Sequence, residues 1–176
     1  MGKVLERGEI PQELKWRLED IYASNEEWEA DLAAAKAKKG QIESLKGTIK
    51  SGEALLHALQ IKDEVGLLLS RLVAYSHMRK DENNGDHLYQ GYAAQALSVA
   101  VELRATGAFL EPEILELEEE VVRNWVDQTL GLSRYKHYLD NLLRQKAYTL
   151  PAEQEQLLAA AGEMAQAPGN IFRMFN

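Results

Sequence analysis

Apolar residues recur along most of the chain at intervals of three and four, the spacing that lines one face of an α-helix. Val65, Leu68, Leu69, Leu72 and Val73 follow it most plainly. Tyr89, Tyr92, Ala93, Ala96, Leu97 and Ala100 repeat it, as do Ile114, Leu117, Val121 and Trp125. Tyr135, Tyr138, Leu139 and Leu142 form the next stripe, and Leu157, Leu158, Ala161, Met164 and Ala165 the last. Alternation with period two is scarce, so the pattern predicts helices with little or no sheet.

The polar punctuation marks where these helices begin and end. Ser24 followed by Glu27 is a capping-box pattern that opens a helix carrying Trp28, Leu32 and Ala35, and Lys38, Lys39 and Gly40 suit its end. Gly47 and Ser51-Gly52 break the chain again before Leu55, Leu56 and Leu59. Asn83-Asn84-Gly85 reads as a tight turn between two long helices, which predicts that they pack antiparallel. Pro112 and Pro151 each precede an apolar stripe, where a missing N–H costs little, and Pro168-Gly169 ends the last full helix. Between Ile10 and Tyr22 the residues Leu14, Trp16 and Leu18 alternate while Leu14, Leu18 and Ile21 also fit a helix, and this stretch is read as extended or irregular. The expectation is an all-α chain, an antiparallel bundle or array of about six to eight helices. Residues 1–23 form a short extended N-terminal segment and 24–176 one helical lobe.

Composition narrows the chemistry. A length of 176 residues is enough to bury a real core. Asp and Glu number 28 against 20 Lys and Arg, with no basic run, so the clustered cations that phosphate binding requires are lacking and no nucleic-acid partner is expected. The absence of cysteine removes disulfides, thiolate metal sites and a cysteine nucleophile. No stretch approaches the roughly 18 uninterrupted apolar residues of a membrane span, and the N-terminus lacks a signal-peptide apolar core. The expected location is the cytoplasm, away from the membrane.

Candidate chemistry is sparse. His57, His77, His87 and His137 are the four imidazoles, none within a His-Glu-x-x-His pair. His77 with Asp81, and His137 with Asp140 or Asn141, have ligand-like spacing, but two ligands cannot hold zinc without a third. Glu116, Glu118, Glu119 and Glu120 form the densest acidic group and read as a solvated helix face beside Ile114, Leu117 and Val121. Neither a Gly-x-Gly-x-x-Gly fingerprint nor a phosphate-cradling Gly-Lys-Ser/Thr loop occurs. Tyr75, Tyr89, Tyr92, Tyr135 and Tyr138 lie on apolar stripes, where core packing or a wet-edged groove accounts for them. The residues themselves name no catalytic or metal position, and substrate-contacting positions stay unassigned.

Three stretches in order resemble one family. "IPQELKWRLEDIYASNEEWEADL" (Ile10 to Leu32) is similar to the opening of oligoendopeptidase F and its relatives. "YSHMRKDENNGDHLYQ" (Tyr75 to Gln90) looks like that family's helix-turn-helix. "RYKHYLDNLLRQKAYTLPAEQEQLLA" (Arg134 to Ala159) resembles its Tyr-x-His-x-Leu, Leu-Arg-x-Lys and Thr-Leu segment. Departures are Arg17, where the family pattern is acidic, Tyr148, where a histidine is common, and Pro151, where a serine cap is common.

The resemblance implies a lobe of a thimet-oligopeptidase-like zinc metallopeptidase. The family's zinc site, a His-Glu-x-x-His helix with a further glutamate, lies in a C-terminal half beyond this chain, so no catalytic or metal residue transfers to any position here. The expected partners are that catalytic domain and short peptides held in a channel. The apolar end "GNIFRMFN" (Gly169 to Asn176) then reads as a cut edge. There Ile171, Phe172 and Phe175 would cover core in a longer parent, or join two fragments through the exposed patch. On this reading the chain by itself is inactive. The alternative is a stand-alone, non-catalytic helical module that holds a partner helix in an apolar groove.

Overall fold

The computed structural model describes residues 9–146. Contacts divide the chain into two compact units, Met1–Arg134 and Tyr135–Asn176. Within the first, two short 3-10 turns, Gln12–Leu14 and Leu18–Asp20, precede α1 (Asn25–Glu43), α2 (Gly52–Glu82), α3 (His87–Thr106), α4 (Leu110–Glu116) and α5 (Glu119–Gln128). A further 3-10 turn at Leu132–Tyr135 leads to α6 (Lys136–Lys146) in the second unit. No strand occurs among the described residues, and the chain is all-α as its periodicity predicts. The stripe at Leu157 to Ala165, the turn at Pro168-Gly169 and the apolar end lie outside the described residues.

Local caps set the boundaries of the three long helices. Ser24 Oγ accepts from Glu27 N (3.4 Å), while Glu27 Oε2 accepts from Ala23 N (3.0 Å), so the reciprocal arm of the capping box reaches one residue further back than usual. Ser51 Oγ accepts from Ala54 N and Asp86 Oδ1 from Leu88 N, opening α2 and α3. Between α2 and α3 the turn closes with Asp86 N donating to Asn83 O (3.0 Å), where the Asn-Asn-Gly signal places it.

Cross-links fix the helix directions. Near the start of α1, Asn25 Oδ1 accepts from Tyr75 Oη of α2 and Tyr89 Oη of α3. Near its end, Lys38 pairs with Glu64 (2.6 Å) and Lys39 with Glu102 (2.7 Å). Helix α1 therefore runs antiparallel to α2 and parallel to α3, and α2 and α3 form an antiparallel hairpin. The core between them is built from Trp28, Leu32, Ala35, Leu59, Leu69, Leu72, Ala96, Val99 and Leu103, all buried.

Two boundaries differ from the sequence reading. Helix α1 continues through Gly40 to Glu43, because the turn beyond the glycine buries Ile42 in the core, which outweighs one exposed glycine's poor helix propensity. The stripe Ile114, Leu117, Val121 and Trp125 is not one helix. Leu117 (ψ 153°) and Glu118 (ψ 133°) are extended and separate α4 from α5. The break moves the register by one residue: Val122 and Val126 are buried, whereas Val121 is 37% exposed. Glu118, Glu119 and Glu120 are solvent-facing as expected, but at the opening of a new helix, where acidic side chains complement the helix dipole.

Candidate functional site

Two features concentrate unusual side chains. The first is an aromatic and arginine layer where the N-terminal segment crosses α2 and α3. Trp28 is fully buried, stacks on Tyr92 at 4.1 Å with the rings 7° from parallel, and donates its indole N–H to Leu72 O (3.0 Å). Tyr22, Tyr75, Tyr89 and Tyr92 continue the layer edge to face, with centroids 5.4 to 6.4 Å apart. Two turns apart on α2, Arg71 and Arg79 clasp the segment. Arg71 lies 4.6 Å above the Tyr22 ring and donates to Ile21 O (2.9 Å). Arg79 stands 5.3 Å from the Tyr75 ring and pairs with Glu19 (2.8 Å) and Glu82 (3.1 Å).

Electrostatics follow from this packing. Burial opposes the Arg79 charge, but the Tyr75 hydroxyl and the Glu19 and Glu82 carboxylates outweigh it and hold its pKa above the usual value. Its Nε is buried without a hydrogen-bond partner among the described residues. Burial first, and then the bond to Asp31 (2.8 Å), pushes the Tyr22 hydroxyl up. Burial and then the Glu29 carboxylate do the same for Tyr92. A backbone hydrogen bond and then Arg79 hold Glu19 below the usual carboxylate value.

The second feature is a cleft of about 720 Å³ where the ends of α1 and α3 meet the middle of α2 and the start of α4. Ile42, Val65, Leu69, Leu103 and Leu110 form its floor, and Leu67 and Arg104 stand at its lip. Lys62 bridges to Glu111 at 2.8 Å, tying α2 to α4 across its edge. An apolar floor with charged edges can bind an apolar side chain and orient a polar backbone. The one hydroxyl in its lining is that of Ser70, and no histidine lines it. Elsewhere, the hydroxyls of Ser44, Thr48, Ser76 and Thr106 each bond a main-chain carbonyl three or four residues back in the chain.

The four histidines stay apart. His77 Nδ1 faces Val73 O (3.0 Å) within its own helix, so the spacing to Asp81 makes no pair. His87 Nδ1 lies 3.4 Å from Gln90 Oε1, His137 Nε2 lies 3.0 Å from Asn141 Nδ2, and His57 is exposed. Among the described residues no three His, Asp or Glu converge to hold a metal ion. The tyrosines act as the sequence suggests: Tyr75, Tyr92 and Tyr135 are buried, and Tyr89 and Tyr138 half-buried. Sequence reasoning missed the two arginines and the cleft. The spacing Arg71, Tyr75, Arg79, one residue per turn on one face, was the available signal for the arginines.

Comparison with known proteins agrees with this fold. Residues 113–176 match a family model described as Oligopeptidase F. The chain is 33% identical over 172 residues to the plasmid-borne oligoendopeptidase F of Lactococcus lactis subsp. cremoris, covering 97% of this chain and 29% of that protein. It is 33% identical to oligopeptidase PepF of Bacillus subtilis, spanning 26% of its length. A crystal structure of oligoendopeptidase-F from Enterococcus faecium superposes with a TM-score of 0.68 at 28% identity, over 84% of this chain and 29% of the other. A putative peptidase from Chlamydophila abortus shares the fold, with a TM-score of 0.78 over 97% of the chain at 21% identity. The chain thus spans under a third of the length of these relatives, and over nearly its whole extent it is similar to the N-terminal part of the oligoendopeptidase F family.

Proposed function

We propose that the chain serves as the N-terminal helical lobe of a cytoplasmic zinc oligoendopeptidase, forming one wall of the channel through which short peptides reach a catalytic half supplied by further sequence. The observation that carries this reading is a similarity running over 97% of the chain while spanning 29% of a relative named oligoendopeptidase F. Most of such a relative therefore lies beyond the matched region. On this reading the zinc site lies in that other part and no step of hydrolysis is assigned to this lobe; among the described residues no three His, Asp or Glu converge. Its contribution is to bind and to exclude: helices packed around a core make a wall that admits a short chain and turns away a folded one.

Two surfaces support the reading. The cleft offers an apolar floor for a peptide side chain beside charged groups for its backbone. Leu67, Leu97 and Val101 are 67%, 51% and 58% exposed, and the last two lie about two turns and one turn before Arg104 on α3. Large apolar side chains exposed in this way suit contact with a neighbouring domain.

The test is the native reading frame and its product. A frame continuing past Asn176 into a His-Glu-x-x-His segment, whose full-length product cleaves a quenched fluorescent peptide and loses that activity to a chelator, is the expected result. A stop codon close after Asn176 would overturn it and leave the stand-alone helical module, with the cleft as its groove.

A further inference from the structure

The turn between α2 and α3 contains the single Asn-Gly pair of the sequence, Asn84-Gly85. Both residues are exposed and neither is helical. The peptide bond joining them is held by side chains at both ends: the Gly85 N–H donates to Asn83 Oδ1 (3.1 Å), and the Asn84 C=O accepts from Gln90 Nε2. The other described asparagines lack this arrangement. Asn25, Asn124 and Asn141 lie in α1, α5 and α6 and are followed by Glu26, Trp125 and Leu142, whose amides are shielded by their own side chains. Asn83 is followed by Asn84, not by glycine.

We propose that Asn84 is a site of spontaneous deamidation and that the Asn83 side chain sets its rate. A main-chain amide nitrogen attacks the carboxamide carbon of the preceding asparagine most readily when the attacking residue is glycine, which has no side chain to hinder approach and the widest choice of backbone angles. In this step the Gly85 nitrogen bonds to Asn84 Cγ and gives its proton to hydroxide or water. The Cγ–Nδ2 bond breaks, and nitrogen leaves as ammonia after taking up a proton. Water then opens the five-membered imide at one carbonyl, leaving aspartate or isoaspartate at position 84. The N–H that must be released is the one Asn83 Oδ1 holds, so this hydrogen bond opposes the reaction. Both products place a carboxylate in a turn that already carries Asp81, Glu82 and Asp86. Isoaspartate also lengthens the main chain at the carbonyl that Gln90 holds.

The test is incubation of the intact chain in mildly alkaline buffer, followed by tryptic digestion and mass spectrometry of the peptide from Asp81 to Arg104. A gain of one mass unit located on Asn84, absent in Asn84→Gln, is expected. Asn83→Ala should raise the rate about two- to twelvefold, the range set by the net worth of one hydrogen bond. Asn83→Asp keeps an acceptor and should stay near the wild-type rate, which separates the guarding bond from a general loosening of the turn. A folded chain that gains no mass while the urea-unfolded chain converts would overturn the site, as would a gain located on Asn83. Equal rates in wild type and Asn83→Ala would overturn the guarding role.

Discussion

Trp28 shows how much one side chain settles. It is fully buried, stacked on Tyr92 and bonded through its indole N–H to a carbonyl of α2, so it joins all three long helices at one point. Trp28→Ala should lower stability by about 3–5 kcal/mol in a urea titration, the range for emptying a large aromatic site. Tyr22 and Tyr92 respond to pH instead. Their folded pKa values are raised above the ordinary 10.0, so the neutral hydroxyl is favoured by the fold. Their contribution is complete below that value and is lost as pH climbs through it toward the folded pKa. Thermal melts should therefore fall steeply above about pH 10. Tyr92→Phe should flatten that fall while costing about 0.5–1.5 kcal/mol at neutral pH through the lost bond to Glu29.

Between elements, the contacts that matter are close approaches and paired charges. Gly52 opens α2 against the end of α5, where an added Cβ would lie 2.0 Å from Thr129 Oγ1 and 3.1 Å from Trp125 Cβ. Gly52→Ala should force the helices apart and lower stability by about 1–3 kcal/mol, even though alanine is the better helix former. Gly52→Ala with Thr129→Gly should recover part of the loss. The arginine clasp is graded by burial. Glu19 is 56% exposed, and its coupling to Arg79 in a double-mutant cycle should be about 0.2–1 kcal/mol and weaken with salt. Glu82 is 11% exposed and should couple to Arg79 more strongly. The pKa of Glu19 is lowered from 4.5, so its contribution is present above that value and lost as pH falls through the folded pKa. Mild acid should loosen the N-terminal segment first, visible as faster amide exchange at Ile21 and Tyr22.

On the scale of the molecule, a sequence with a net charge of −8 also exposes the apolar side chains of Leu67, Leu97 and Val101. Replacing Leu97 and Val101 together by glutamate should leave the melting temperature of this chain nearly unchanged, since isolated surface changes stay within about 0.5 kcal/mol each. If the chain is the lobe of a longer peptidase, as proposed, the same pair of changes should weaken its co-elution with the remaining, catalytic part. No helix among the described residues is long and apolar enough to cross a membrane. Metal analysis offers a simple check on the proposal that zinc is held outside this chain. After dialysis the chain should retain far less than one zinc per molecule, and a tightly held stoichiometric zinc would place metal chemistry in this lobe.

What the sequence by itself determined is local. Helical periodicity, the Ser24 cap, the break at Ser51-Gly52 and the Asn83-Asn84-Gly85 turn each depend on residues a few positions apart, so the long helices and the α2–α3 hairpin were legible from spacing, while the Ser51 and Asp86 caps are seen only in the structure. The similarity to the oligoendopeptidase F family was legible too, because three stretches kept their order. Only the tertiary structure decided the rest. Leu117 and Glu118 carry no breaking residue, and α4 parts from α5 so that Val122 and Val126, rather than Val121 and Trp125, meet the core. Gly52 reads as an ordinary break until Thr129, 77 positions on, is seen to occupy the space of its Cβ. The cleft gathers side chains from three helices and the start of a fourth, and the arginine clasp joins residues 50 to 60 positions apart. Such contacts depend on how faces meet, and spacing along a chain specifies a face without naming what will cover it.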